Sequence, residues 1–90
     1  MSKSRGKKNE SLSTFMKNAR EAAGLSQQEV GRKLGFGSSQ FISNWERGIS
    51  GPPIKALIRL KSIYKLDVNK LVEILVENSR SKVNRAFGLR

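Results

Sequence analysis

The sequence predicts an all-α fold of five short helices, and three observations carry that prediction. Apolar residues recur at the i, i+3, i+4, i+7 spacing of a helix face through most of the chain. A glycine or a capping side chain punctuates each such stretch. No stretch alternates with a period of two between hairpin turns, so no strand is predicted, and no internal repeat is visible.

Residues 1–9, MSKSRGKKN, carry Lys3, Arg5, Lys7 and Lys8 with no apolar residue after Met1, and are expected to be a flexible basic arm. The helical domain then covers residues 10–76. Its first helix aligns Leu12, Phe15, Met16, Ala19, Ala22 and Ala23 on one face expected to be buried, with Gly24 as the carboxy-terminal cap. The second opens on Ser26-Gln27-Gln28-Glu29, the spacing of a capping box, with Leu25 and Val30 as a hydrophobic staple. Val30 and Leu34 form its inner face and Gly35 ends it.

Phe36-Gly37-Ser38-Ser39 reads as a turn in which either serine can cap a third helix from Gln40 to Arg47, stopped by Gly48. Pro52-Pro53 restarts helix at an N1 proline, and Ile54, Leu57, Ile58, Leu60 and Tyr64 form a broad stripe expected to be buried. Asp67 caps the fifth helix, which carries Val68, Leu71, Val72, Ile74, Leu75 and Val76. Residues 77–90 are either an extension of that helix or a tail, because Asn78-Ser79-Arg80-Ser81 are weak helix formers.

Ninety residues make one small domain with no room for a second core. The absence of Cys and His excludes disulfides, thiolate chemistry and the usual transition-metal ligands. No nucleophile set or phosphate loop is present, so no enzyme and no cofactor are expected. The longest apolar runs fall far short of the roughly 20 residues of a membrane span, which predicts a soluble, cytoplasmic chain. Eighteen Lys and Arg against seven Asp and Glu give a net charge of +11. A field of that sign draws polyanions, nucleic acid foremost, with a membrane surface or an acidic protein as lesser partners.

Two short helices joined by a glycine-containing turn, the second displaying Gln, Ser and Asn, fit a helix-turn-helix built from helices 2 and 3. Gln and Asn suit a base-reading helix because each can pair bidentately with adenine N6 and N7. Gly24-Leu25-Ser26-Gln27-Gln28-Glu29-Val30, Leu34-Gly35, Ile42-Ser43-Asn44-Trp45-Glu46-Arg47-Gly48 and Pro53 together resemble the phage repressor and Cro-like (XRE) helix-turn-helix family. The resemblance covers about residues 10 to 76 and implies a lambda-repressor-like domain on double-stranded DNA.

By that resemblance Ser39, Gln40, Ser43 and Asn44 fall where the family reads base edges. Gln27 would touch a phosphate and buttress the base contacts, as would the amides that open its helix. Ser38 and Arg47 lie near the sugar-phosphate track, and Lys55 is the nearest substitute for the cations that many members carry in the loop before helix 4. Arg20 and Glu46 match a partly buried ion pair of many members, the alternative being two independent surface charges. Trp45 and Phe41 share a side with Ile42, which favours core packing over base stacking for both.

Two departures from the family pattern stand out. The turn Gly35-Phe36-Gly37-Ser38 is one residue longer than the common spacing, which makes Ser38, Ser39 and Gln40 less secure in register than Asn44. Gly31 stands where alanine is usual, at a cost of roughly 0.5 to 1 kcal/mol in helix propensity.

The reading that follows is a sequence-specific transcriptional regulator, a repressor acting as a homodimer on a palindromic operator. With no ligand domain after the helices, regulation is expected from a protein partner, from abundance or from competition at the operator. Val72, Val76, Val83 and Phe87 trace a second apolar stripe at spacings of 4, 7 and 4, expected to form the dimer interface if the helix continues that far. The alternative is an antitoxin or bridging protein whose bundle mainly holds another protein.

Overall fold

The structure, a computed structural model, describes residues 11–88. The basic arm predicted for residues 1–9 lies outside them. Among the described residues five helices follow in order: α1 (Leu12–Ala22), α2 (Gln27–Lys33), α3 (Gln40–Glu46), α4 (Ile54–Tyr64) and α5 (Val68–Ala86). Among the described residues there is no strand.

Local chemistry sets where each helix starts. The Ser11 hydroxyl accepts from the Thr14 amide at 3.1 Å and opens α1. At α2 the capping box is complete: Ser26 Oγ accepts from the Glu29 amide at 3.0 Å, and Glu29 Oε1 accepts from the Ser26 amide at 2.8 Å. Those bonds hold the Glu29 carboxyl below its ordinary range. Asp67 Oδ1 accepts from the amides of Asn69 and Lys70 and opens α5. Pro53 is the N-cap of α4 and Ile54 its first helical residue, one position later than the sequence suggests.

Helix ends are equally local. The chain leaves α1, α2 and α3 through Gly24, Gly35 and Gly48 at φ of 73°, 88° and 75°, where a side chain would be strained. It leaves α4 through Lys65, which holds the same left-handed turn at φ 55° with a side chain in place.

Helix α1 packs against α3, α4 and α5, while α2 packs on α3. The core between them holds Met16, Val30, Leu34, Ile42, Trp45, Leu57, Leu60, Tyr64 and Leu71, and Ile74 is likewise buried. Two apolar stripes are narrower than the sequence predicts. Ala22 and Ala23 are exposed, because α1 ends there and the chain turns away. Ile54 and Ile58 are also exposed, since Ala56, Leu57, Leu60 and Tyr64 occupy the side of α4 that faces the bundle. Helix α5 runs without a break through Asn78-Ser79-Arg80-Ser81 to Ala86, with Leu71 and Ile74 turned inward. Among the described residues no helix is long and apolar enough to cross a membrane.

Candidate nucleic-acid interface

The turn from α2 to α3 passes over α2 at Gly31. A Cβ placed there would stand 2.5 Å from the Ser38 carbonyl oxygen and 3.3 Å from its carbon, so glycine alone admits the crossing. The two departures from the family pattern meet at this crossing: the longer turn lays its Ser38 backbone over the helix position that has no side chain. The Phe36 amide donates to the Gly31 carbonyl at 2.8 Å, and the Phe36 ring lies 4.8 Å from Phe41 and 6.0 Å from Trp45. Phe41 is nonetheless 52% exposed, so it flanks the core instead of entering it, whereas Trp45 is buried.

At about 100° per residue, Gln40, Ser43, Asn44 and Arg47 lie opposite Ile42 and Trp45 on α3. Gln40 Nε2 donates to Asn44 Oδ1 at 3.0 Å, and the Arg47 guanidinium donates to the same oxygen at 3.3 Å. Ser39 is the N-cap residue but its hydroxyl makes no capping bond, while Ser38 Oγ accepts from the Gln40 amide at 3.2 Å.

The inner end of α3 is held by charge. Arg20 Nε donates to Glu46 Oε2 at 2.7 Å and a second guanidinium nitrogen donates to Oε1 at 3.0 Å, a fork that matches the carboxylate. The side chains are 11% and 3% exposed. Arg20 also donates to the Leu25 carbonyl at 2.7 Å, which ties α1 to the entry of α2. Its bond to Glu46 holds the guanidinium pKa above its ordinary value against the opposing pull of burial. Gln27 Nε2 donates to Glu46 Oε1 at 3.0 Å, so a half-buried Gln27 joins the pair as a third donor.

A helix-turn-helix family pattern matches residues 16–71. The chain belongs to the XRE-type helix-turn-helix family. It is also similar to the HTH-type transcriptional regulator ImmR of Bacillus subtilis (strain 168), 31% identical over 81 residues covering 87% of this chain. The chain spans 63% of the length of that regulator. No solved structure matches it.

Outside α2 and α3 the remaining residues singled out from the sequence are dispersed. Lys55 stands exposed on the first turn of α4, and Val72, Val76, Val83 and Phe87 lie 50%, 48%, 51% and 75% exposed along α5. One contact was not legible in the sequence. Arg59 of α4 donates to the Lys33 carbonyl at 2.6 Å and to the Leu34 carbonyl at 3.3 Å, placing a cation on the last carbonyls of α2. No spacing rule separates Arg59 from the other cations of α4, since its partners lie 25 and 26 residues away.

Proposed function

We propose that this chain is a sequence-specific, double-stranded-DNA-binding transcriptional regulator. The observation that carries the reading is the outward face of α3. It sets two amides, a hydroxyl and a guanidinium in line on a helix whose other face is locked by Trp45 and Glu46. In this reading Ser39, Gln40, Ser43 and Asn44 meet base edges, and Ser38, Arg47, Lys55 and Gln27 meet the sugar-phosphate track, Gln27 using the amide atoms not engaged by Glu46. The charge of +11 supplies the sequence-independent part of the affinity. The similarity to a Bacillus subtilis transcriptional regulator supports a role in transcription.

The chain acts as a homodimeric repressor on a palindromic operator, joined through the exposed stripe on α5. Two-fold symmetry there would set two copies of α3 about 34 Å apart, one turn of DNA. The domain divides as a basic arm (1–9), the helical unit (10–76) and a carboxy-terminal helix extension or tail (77–90), and it works in the cytoplasm on the nucleoid. A second reading, an antitoxin or bridging protein with a regulatory protein partner, draws on the same valines of α5. Selection of bound duplexes from random DNA, followed by salt titration, decides between them. A DNA regulator enriches a two-fold motif and loses affinity with a log–log slope of about −0.9 per neutralised phosphate. A slope near zero overturns it.

A further inference from the structure

Gln40, Asn44 and Arg47 follow one another at i, i+4 and i+7 on the outer face of α3, joined by hydrogen bonds at one atom, Asn44 Oδ1. Arginine has donors and no acceptor, so the atom that Asn44 turns to Arg47 must be its oxygen. The same oxygen is then what Gln40 meets, so Gln40 must offer its nitrogen. We infer that Arg47 and Asn44 form a relay that fixes the amide of Gln40 in the orientation that reads adenine; this replaces the direct base contact given to Asn44 above with the role of a positioning residue that does not itself read adenine. The inference rests on the DNA-binding reading above and deepens it.

The atom count makes the division of roles. Adenine presents an acceptor at N7 and a donor at N6 in the major groove, so its bidentate partner must offer one donor and one acceptor together. Asn44 Oδ1 already takes two donors, one for each lone pair, which leaves Asn44 with Nδ2 alone: a donor without its acceptor. Gln40 spends one of its two N–H groups on Asn44 and keeps Oε1 and the other N–H. That is the pair adenine requires. Gln40 is exposed, whereas Asn44 is half-buried beneath it. If the order of donation were reversed, Gln40 would spend its oxygen on Asn44 and lose adenine; Arg47 is what prevents the reversal.

The test is selection from random duplex DNA with wild type, Gln40→Ala, Asn44→Asp, Asn44→Ala and Arg47→Ala, reading base preference at each position separately from overall affinity. Gln40→Ala is expected to lower one adenine preference per half-site about tenfold or more. Asn44→Ala and Arg47→Ala weaken preference at that same position. Asn44→Asp keeps the acceptor oxygens and keeps adenine there, at lower affinity for all duplexes because the added negative charge is repelled by the polyanion. Replacing that adenine by 7-deazaadenine, which lacks the N7 acceptor, removes the advantage of wild type over Gln40→Ala. The inference is overturned if Asn44→Asp abolishes preference at a position that Gln40→Ala leaves intact, for then Asn44 reads its own base. A wild-type motif in which Gln40→Ala changes nothing defeats the relay alone. Failure of wild type to enrich any sequence defeats the DNA reading and the relay with it.

Discussion

The carbonyl of Ser38 lies so close over Gly31 that a single methyl group at residue 31 would come within 2.5 Å of its oxygen. Gly31→Ala should therefore destabilise the fold by about 1 to 3 kcal/mol, although alanine is the better helix former by roughly 1 kcal/mol. Urea denaturation measures it. Removing Gly37 together with Gly31→Ala, which shortens the turn to the family's common spacing, should recover part of the loss; equal loss in the double variant would mean that the crossing does not depend on turn length.

Glu46 receives three donor groups from Arg20 and Gln27 and is almost sealed from water. Glu46→Ala leaves a guanidinium at 11% exposure with only the exposed Glu21 carboxylate, 3.9 Å away, and should cost up to about 3 to 5 kcal/mol. The double change Arg20→Met with Glu46→Leu should be milder in the same thermal melts, because no uncompensated charge remains. Gln27→Ala should cost least, since the fork between Arg20 and Glu46 survives it.

Tyr64 is the one tyrosine, and burial, reinforced by the negative charge of Glu46 and partly opposed by Arg20, holds its phenol well above its ordinary range. A group whose pKa is raised on folding contributes stability that is fully present below its unfolded value, about 10, and lost as the pH climbs past it. Stability should therefore fall above about pH 10 more steeply in wild type than in Tyr64→Phe. Tyrosinate absorbance should appear together with unfolding; its appearance in the folded protein near pH 10 would refute the burial argument.

Lys65 holds the left-handed exit of α4 at φ 55°, a place the first three helices give to glycine. Lys65→Gly should stabilise the protein by about 1 kcal/mol, a rise in Tm of roughly 4 to 8 °C for a domain this size. Calorimetry would show it, and a fall in Tm would mean that the backbone entropy of glycine outweighs the relieved strain.

Truncation after Asn78 removes Val83 and Phe87 and shortens the exposed stripe of α5, while every residue of the core lies before that point. Sedimentation should show loss of the proposed homodimer, with melting still cooperative. An unchanged dimer would move the interface elsewhere on the bundle.

What was legible in the sequence was what is local. Ser26 with Glu29, and Asp67 with the amides two and three residues on, are decided within one turn, so pattern alone finds them. The inward placing of Ile42 and Trp45 likewise follows from helical period. Period names a face but not its cover, which is why Ile54 and Ile58 sit in water although they continue an apolar stripe. The third donor on Glu46 and the clamp of Arg59 on α2 span 19 and 26 residues, and nothing in the order of residues marks such partners. The crossing at Gly31 was written in the sequence as two separate oddities, a long turn and a glycine, and only the geometry joins them.

The Arg59 clamp also bears on how far the reading unit can be moved. A helix of seven residues is too short to persist alone in water, and α2 keeps its shape because Val30 is buried in the core, Arg59 of α4 holds one end and Gln27, bonded to Glu46, anchors the other. Helices α2 and α3 are therefore not portable. A graft of residues 26–48 onto a foreign scaffold would carry the outward side chains of α3 but leave behind Arg20 and Arg59, and with them the bonds that hold α2 and α3 to the rest of the bundle.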